Sequence, residues 1–418
     1  MAFRRNSRGT IKIDFSTAVE LTQQKQVSLL TVKNLIHYVK ISNSRIKKWN
    51  SCKRAHHYAF NEKLEKKAPP SSLYKGKIIH ECIEDMIYGR DWRPTLQKYI
   101  DEYNQMFEEE KEQYGNLPED LTTILEGYER MYKDDGLTYL EANGKKAEHD
   151  FALEIGREPC LVCRGSGEVT AGATCNVCKG EGCSYCNDFG QVPEWGTCLY
   201  CGGEGTRGIA LVGKIDAVAQ DRNGRVWLVE HKSFKRLPDE DFRWTNQQAT
   251  IYAWVMPQIG FPKPDGVMWD YIRTKAPTEP ELLKSGALSK RKNIDTTYET
   301  YLKAIEEHGL DPADYEDILE HLRGNEHNFY RRIYLPIREN IIEPVIQDVI
   351  NTVKEIYYLG ELLKTRNLGK DCRICSFKQL CQVEIMGDDV EFIKKNQYRP
   401  STYHINAREG EYVGEEEE

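Results

Sequence analysis

No apolar run in the 418 residues approaches the roughly 20 needed for a helix to cross a bilayer, which excludes helical membrane proteins. The first residues, Met1-Ala2-Phe3-Arg4-Arg5, lack the apolar stretch of a secretory signal, so a cytoplasmic protein is expected. Gly-x-x-x-x-Gly-Lys-[Ser/Thr] is missing too, and with it any recognisable nucleotide-driven motor loop. An excess of positive charge is also lacking: the formal net charge is −8. Six glutamates and no basic residue fall within 409–418, so the rest of the chain carries only −2. That acidic end is expected to be disordered. What remains is ordinary for a soluble globular protein, with 39% hydrophobic and 30% charged residues. A chain of this length buries a large core and reads as one main domain plus an insertion.

The chemistry concentrates between Gly213 and Lys232. Gly213-Lys214-Ile215-Asp216-Ala217-Val218 is followed by a polar turn with an Asn223-Gly224 pair, then by Val226-Trp227-Leu228-Val229-Glu230-His231-Lys232. This predicts a β-hairpin. Strand side chains alternate, so Glu230 and Lys232 share a face, His231 lies opposite, and Asp216 can converge on them. Two carboxylates and an ammonium suit phosphodiester hydrolysis with Mg²⁺ or Mn²⁺: the carboxylates hold the cation and the lysine steadies water or developing charge. A solvated hairpin with surface charges accounts equally well for this stretch alone.

The order Gly76-Lys77-Ile78-Ile79-His80, Gly213-Lys214-Ile215-Asp216, Glu230-His231-Lys232 and Gln248-Ala249-Thr250-Ile251-Tyr252 resembles the RecB-like branch of the PD-(D/E)XK nucleases. The resemblance spans residues 42–385. It implies a restriction-endonuclease-like α/β fold, with a mixed sheet flanked by helices. It implies that His80, Asp216 and Glu230 bind Mg²⁺ or Mn²⁺ and that Lys232 acts on the attacking water. Gln248 and Tyr252, four residues apart, share a helix face that supports the site or touches DNA. The implied activity is a DNA exonuclease on single strands or duplex ends, in phage or prokaryotic replication or recombination. With no motor loop, unwinding would need a separate helicase, and a recombinase is a further expected partner.

Twelve of the thirteen cysteines fall into two sets. The first is four Cys-x-x-Cys pairs: Cys160/Cys163, Cys175/Cys178, Cys183/Cys186 and Cys198/Cys201. Each pair presents two thiolates to one ion, and eight thiolates make two Cys₄ zinc sites. Glycine-rich tails follow three of the pairs, and the pattern resembles the cysteine-rich domain of DnaJ chaperones. The resemblance implies that the outer pairs, Cys160, Cys163, Cys198 and Cys201, share one zinc and the inner pairs the other. Asn187-Asp188-Phe189-Gly190 after Cys186 departs from the pattern, which leaves the pairing open. The module serves as scaffold or as binding surface; spacing does not decide.

The second set is Cys52 with Cys372, Cys375 and Cys381, which on spacing suits zinc or an iron–sulfur cluster. It resembles the iron–sulfur subgroup of RecB-like nucleases, where one upstream and three downstream cysteines hold a [4Fe–4S] cluster. The implied role is structural. Cys82 stands apart and reads as a small buried apolar residue.

Strands are expected at 148–156, 208–219, 225–232 and 266–273, with helices over Ser44 to Leu140, 296–323 and 336–365. The domains follow: an arm, 1–41; a nuclease core, 42–157 and 207–385; an inserted zinc module, 158–206; and a tail, 386–418. The basic tracts Lys47/Lys48/Lys53/Arg54, Lys290-Arg291-Lys292 and Arg331-Arg332 read as solvated helix faces or as phosphate tracks, the former being commoner. Tyr271, Arg273 and Lys275 close the last strand, at a groove or as an ordinary polar strand end. A competing class is a nucleic-acid-binding or partner-binding zinc protein with a silent nuclease core. The joint presence of Asp216, Glu230 and Lys232 argues against it.

Overall fold

The computed structural model describes residues 38–169, 196–198, 200–235, 243 and 246–401, with the backbone of 4–5 and 11–12. Cys175, Cys178, Cys183 and Cys186, most of the expected arm and the glutamate-rich end lie outside the described residues.

Seven strands make one mixed sheet. They are β1 (Tyr38–Ser42), β2 (Thr138–Tyr139), β3 (Ala147–Pro159), β4 (Thr206–Gln220), β5 (Val226–Phe234), β6 (Gly266–Arg273) and β7 (Tyr330–Pro336). The β4–β5 turn forms as the Asn-Gly pair predicts: Gly224 takes φ +80°, and Asp221 Oδ1 accepts from the amides of Asn223 (2.9 Å) and Arg225 (3.0 Å). β5 and β6 run parallel, so the chain must cross over between them, and it does so through helix α5 (Gln247–Val255). Seven of the eight β6 residues are buried, the mark of a strand covered on both faces.

Helices supply the two covers. On one face, α1 (Asn43–Ser51), α5 and α6 (Glu339–Leu359) bury Ile46, Trp49, Tyr252, Val255 and Ile356 against Leu211, Val218 and Leu228. On the other, α2 (Ser71–Ile87), α3 (Arg93–Asn104) and α4 (Leu117–Tyr132) pack Ile78, Ile79, Ile83, Leu96, Leu121 and Leu125 with Ile272 and Tyr330. Cys82 is fully buried among them. This is the expected α/β architecture with a helix-flanked mixed sheet.

Three strands depart from expectation. β2 lies at the end of the stretch expected to be helical, where Thr138 and Tyr139 pair with Gln220 and Ala219 of β4. β1 draws Tyr38–Ser42 into the sheet, although 1–41 reads as an arm. β7 takes up the Arg331-Arg332 tract, and Arg332 is neither solvated nor helical. Its side chain is 6% exposed and pairs with Asp135 and Asp270, because β7 forms the sheet edge beside β6 and turns that residue inward.

β4 is the pivot of the site. One of its edges pairs with β3 along 206–217. The other pairs with β1 at 208–212 and with β5 at 217–220, leaving 213–216 unpaired on that side. β5 then diverges and continues beside β6 alone. Asp216 and Glu230 flank the resulting fork.

Candidate active site and cysteine centres

Each side chain at the fork is placed by a local cause. The amide of His231 donates to Asp216 Oδ2 at 2.9 Å, bridging the strands where the ladder stops. Glu230 is fully buried, and its Oε2 accepts from Lys232 Nζ (2.7 Å) and Gln248 Nε2 (3.3 Å). Gln248 lies in the first turn of α5, capped by Asn246, whose Oδ1 accepts from the amide of Ala249. Lys47 Nζ reaches Gln248 Oε1 at 3.4 Å. Tyr252 follows one turn later, edge-on to Phe151 with ring centroids 5.5 Å apart. Both rings need Gly213: a Cβ there would lie 2.6 Å from Phe151 Cζ and 3.3 Å from Tyr252 Oη.

The opposite face brings His80. Gly76 lets α2 settle on β5, since a Cβ at that position would come within 2.6 Å of Ser233 Oγ. His80 sits one turn further on. Donor atoms of His80, Asp216 and Glu148 all lie within 4.8 Å of one another. His80 also stands edge-on to His231, with centroids 5.8 Å apart. Behind them, His231 Nδ1 is 3.1 Å from Asp270 Oδ2, and the buried Asp270 also meets Tyr128 and Arg332.

The electrostatics follow from burial. Glu230 is pushed up to about 7, first by desolvation and then by Asp216, with Lys232 opposing. Burial works against the Lys232 ammonium, yet Glu230 and Asp216 hold it above the usual lysine range. Glu148 is likewise raised to about 7 by burial and by Asp216, against Lys214. Burial lowers His80, favouring the neutral imidazole that can serve as a ligand. One imidazole nitrogen and several carboxylate oxygens form a donor set that fits Mg²⁺ or Mn²⁺.

His80, Asp216, Glu230, Lys232, Gln248 and Tyr252, scattered over 173 positions of sequence, therefore gather at one fork. Residues 40–382 match the PD-(D/E)XK nuclease superfamily. The chain belongs to that superfamily. No curated protein matches it. Membership supports a metal-dependent nuclease, and the matched span includes both cysteine sets. Glu148 has no place in the motif order that pointed to this nuclease; only the pairing of β3 with β4 brings it in.

The nuclease presents the outer cysteines at the tips of β3 and β4. Cys160 and Cys198 sulfurs lie 3.8 Å apart, and those of Cys163 and Cys201 3.7 Å. Zn–S bonds of about 2.3 Å in a tetrahedron give an S–S edge of about 3.8 Å, so these four thiols fit one zinc. Gly165, Gly167, Gly203 and Gly205 all take positive φ, and the Gly167 amide donates to Cys163 Sγ at 3.3 Å. Below, α6 braces the ladder: Tyr358 Oη donates to Glu158 Oε2 (2.6 Å) and Tyr357 Oη to the Pro159 carbonyl (2.9 Å).

The second set is looser. Asn367 links Cys52 and Cys372, its amide donating to Cys52 Sγ (3.5 Å) and its carbonyl accepting from Cys372 Sγ (3.7 Å). Burial raises the Cys375 thiol, and the neighbouring Cys52 and Cys372 raise it further. Leu64–Lys66 pairs with Tyr398–Pro400 nearby, joining the two ends of the nuclease.

Proposed function

We propose that this nuclease is a DNA exonuclease of the RecB-like, iron–sulfur-bearing branch, hydrolysing phosphodiesters on single strands or at duplex ends. The observation that carries the reading is the fork: His80 and Asp216 converge beside a buried Glu230–Lys232 pair at 2.7 Å, backed by Gln248. A solvated hairpin would not bury Glu230 or bring a histidine from a distant helix to Asp216.

His80, Asp216 and Glu230 would hold Mg²⁺ or Mn²⁺. When bound, the cation polarises the scissile phosphate and lowers the pKa of the attacking water. Lys232 holds that water or the charge that develops on phosphorus-bound oxygen. Gln248 and Lys232 fix the Glu230 carboxylate, and Tyr252 secures the helix that carries Gln248. Hydrolysis forms one P–O bond to water, breaks one ester P–O bond, and passes a proton to the leaving oxygen.

The exonuclease branch is supported by the order of His80, Asp216, Glu230-x-Lys232 and Gln248-x₃-Tyr252, and by Cys52 with Cys372, Cys375 and Cys381 framing the core. We assign a [4Fe–4S] cluster to these four and zinc to the inserted module. The nuclease acts in phage or prokaryotic replication or recombination, with a separate helicase or recombinase as partner. Purified protein with end-labelled DNA and Mg²⁺ tests the reading. Terminal nucleotide release is expected from the wild type, and a loss of at least about a hundredfold from Asp216→Ala and Lys232→Ala. Undiminished activity in either variant would sink the site assignment.

A further inference from the structure

The register of β3 against β4 puts a second carboxylate at the fork. Ala147 pairs with Ala217 and His149 with Ile215, so Glu148 stands opposite Asp216. Like charges directly opposite on neighbouring strands destabilise a sheet, and both of these carboxylates are half-buried. Glu148 also takes φ +54°, a left-handed conformation that strains a non-glycine residue. Its salt bridge, to Lys214 Nζ at 3.0 Å, involves a side chain that is 37% exposed and returns little stability.

What this costly placement achieves is proximity. A Glu148 oxygen lies within 4.8 Å of donor atoms on both His80 and Asp216, which come from a helix on the other side of the fork and from the adjoining strand. An imidazole and two carboxylates at that spacing are a divalent-cation donor set. Beside them, Glu230 Oε1 is wholly buried with no hydrogen-bond partner, a second acceptor with unmet capacity.

We propose that Glu148 is a ligand of the divalent cation, joining His80 and Asp216 from outside the Asp and Glu-x-Lys motif. The proposal rests on the metal-dependent nuclease reading and adds a consequence to it. Glu230 Oε2 is engaged by Lys232 and Gln248 while its Oε1 stays open, so Glu148 adds a third carboxylate to the donor set, with water filling the remaining positions. With Glu148, the nuclease takes up its cation before DNA arrives.

The test is titration of the full-length protein with Mn²⁺ in the absence of DNA, reading free Mn²⁺ by electron paramagnetic resonance. Glu148→Gln is expected to weaken binding at least about tenfold, and Asp216→Asn is expected to do the same. Glu148→Gly should weaken it equally while melting at or above the wild-type temperature, because glycine suits the positive φ and a half-buried carboxylate facing Asp216 is removed. That pairing separates a ligand from a structural residue. Wild-type affinity in Glu148→Gln, or no Mn²⁺ uptake by the wild type without DNA, overturns the proposal. If DNA is degraded while Glu148→Gln binds Mn²⁺ normally, the nuclease reading stands and this inference fails. If Glu148→Gln loses Mn²⁺ but no DNA form is cut by the wild type, this inference stands and the exonuclease reading fails.

Discussion

Replacing Gly213 by alanine probes the packing that holds the site together. The new Cβ would lie 2.6 Å from Phe151 Cζ, 2.8 Å from its Cε1 and 3.3 Å from Tyr252 Oη. Carbon atoms rest about 3.5–4.0 Å apart, so the Phe151 ring must retreat by about 1 Å. Both rings are buried in the main core, where overpacking costs about 1–3 kcal/mol. Removing a strand glycine returns about 0.5–1 kcal/mol, for a net loss of up to about 2.5 kcal/mol and about 1 kcal/mol at mid-range. The displaced Tyr252 sits one turn from Gln248, which holds Glu230 at 3.3 Å, so activity should fall about ten- to a hundredfold. Urea unfolding measures the stability and release of end label measures the activity. Phe151→Leu makes room, and the double variant should recover about 1 kcal/mol relative to the sum of the single changes. Strict additivity, or a Gly213→Ala protein with wild-type midpoint and activity, would refute the reasoning.

Three further outcomes follow from particular residues. His56 is fully buried and its Nε2 accepts from Arg45 Nε at 3.2 Å; burial first, and then Arg45, push it down to about 2 from 6.5. A depressed folded-state value means its stability contribution is complete above pH 6.5 and shrinks as pH falls toward 2. The slope is up to about 1.4 kcal/mol per pH unit, so His56→Gln should flatten unfolding free energy between about pH 6 and 4.5; parallel wild-type and variant curves would contradict this. Asp270→Asn leaves Arg332 buried with weaker compensation and should cost about 3 kcal/mol in urea unfolding. Lys263→Met, at an exposed pair with Glu339, should stay within about 0.5 kcal/mol, and similar losses at the two sites would refute the burial argument. Anaerobically purified protein should contain zinc and absorb visible light through iron–sulfur. Cys198→Ser should lose one of the two zincs but keep the colour, and Cys375→Ser should keep both zincs but lose the colour, whereas a colourless, iron-free wild type would overturn the cluster assignment.

Much of the site was readable because its residues obey local rules. The Asn223-Gly224 pair announces the hairpin, and strand alternation puts Glu230 and Lys232 on one side of β5. Four-residue spacing stacks Gln248 and Tyr252 on α5. Gly76 and Gly213, which look like motif ornaments, are places where Ser233 and Phe151 leave no room for a Cβ. Arg331-Arg332 misled, because a pair of arginines looks the same whether it faces water or a buried carboxylate such as Asp270. β1 was hidden because its five residues earn their strand only by pairing with β4.

By itself, then, the sequence determined the superfamily, the helix-covered mixed sheet, the hairpin and the two sets of cysteines, since each depends on residue type at short, periodic spacing. Only the tertiary structure decided which carboxylates meet. Glu148 reaches Asp216 because two strands pair in one register, and His80 reaches both because α2 crosses close to β5. Pairing register and helix approach arise from contacts between distant segments. No local spacing encodes them.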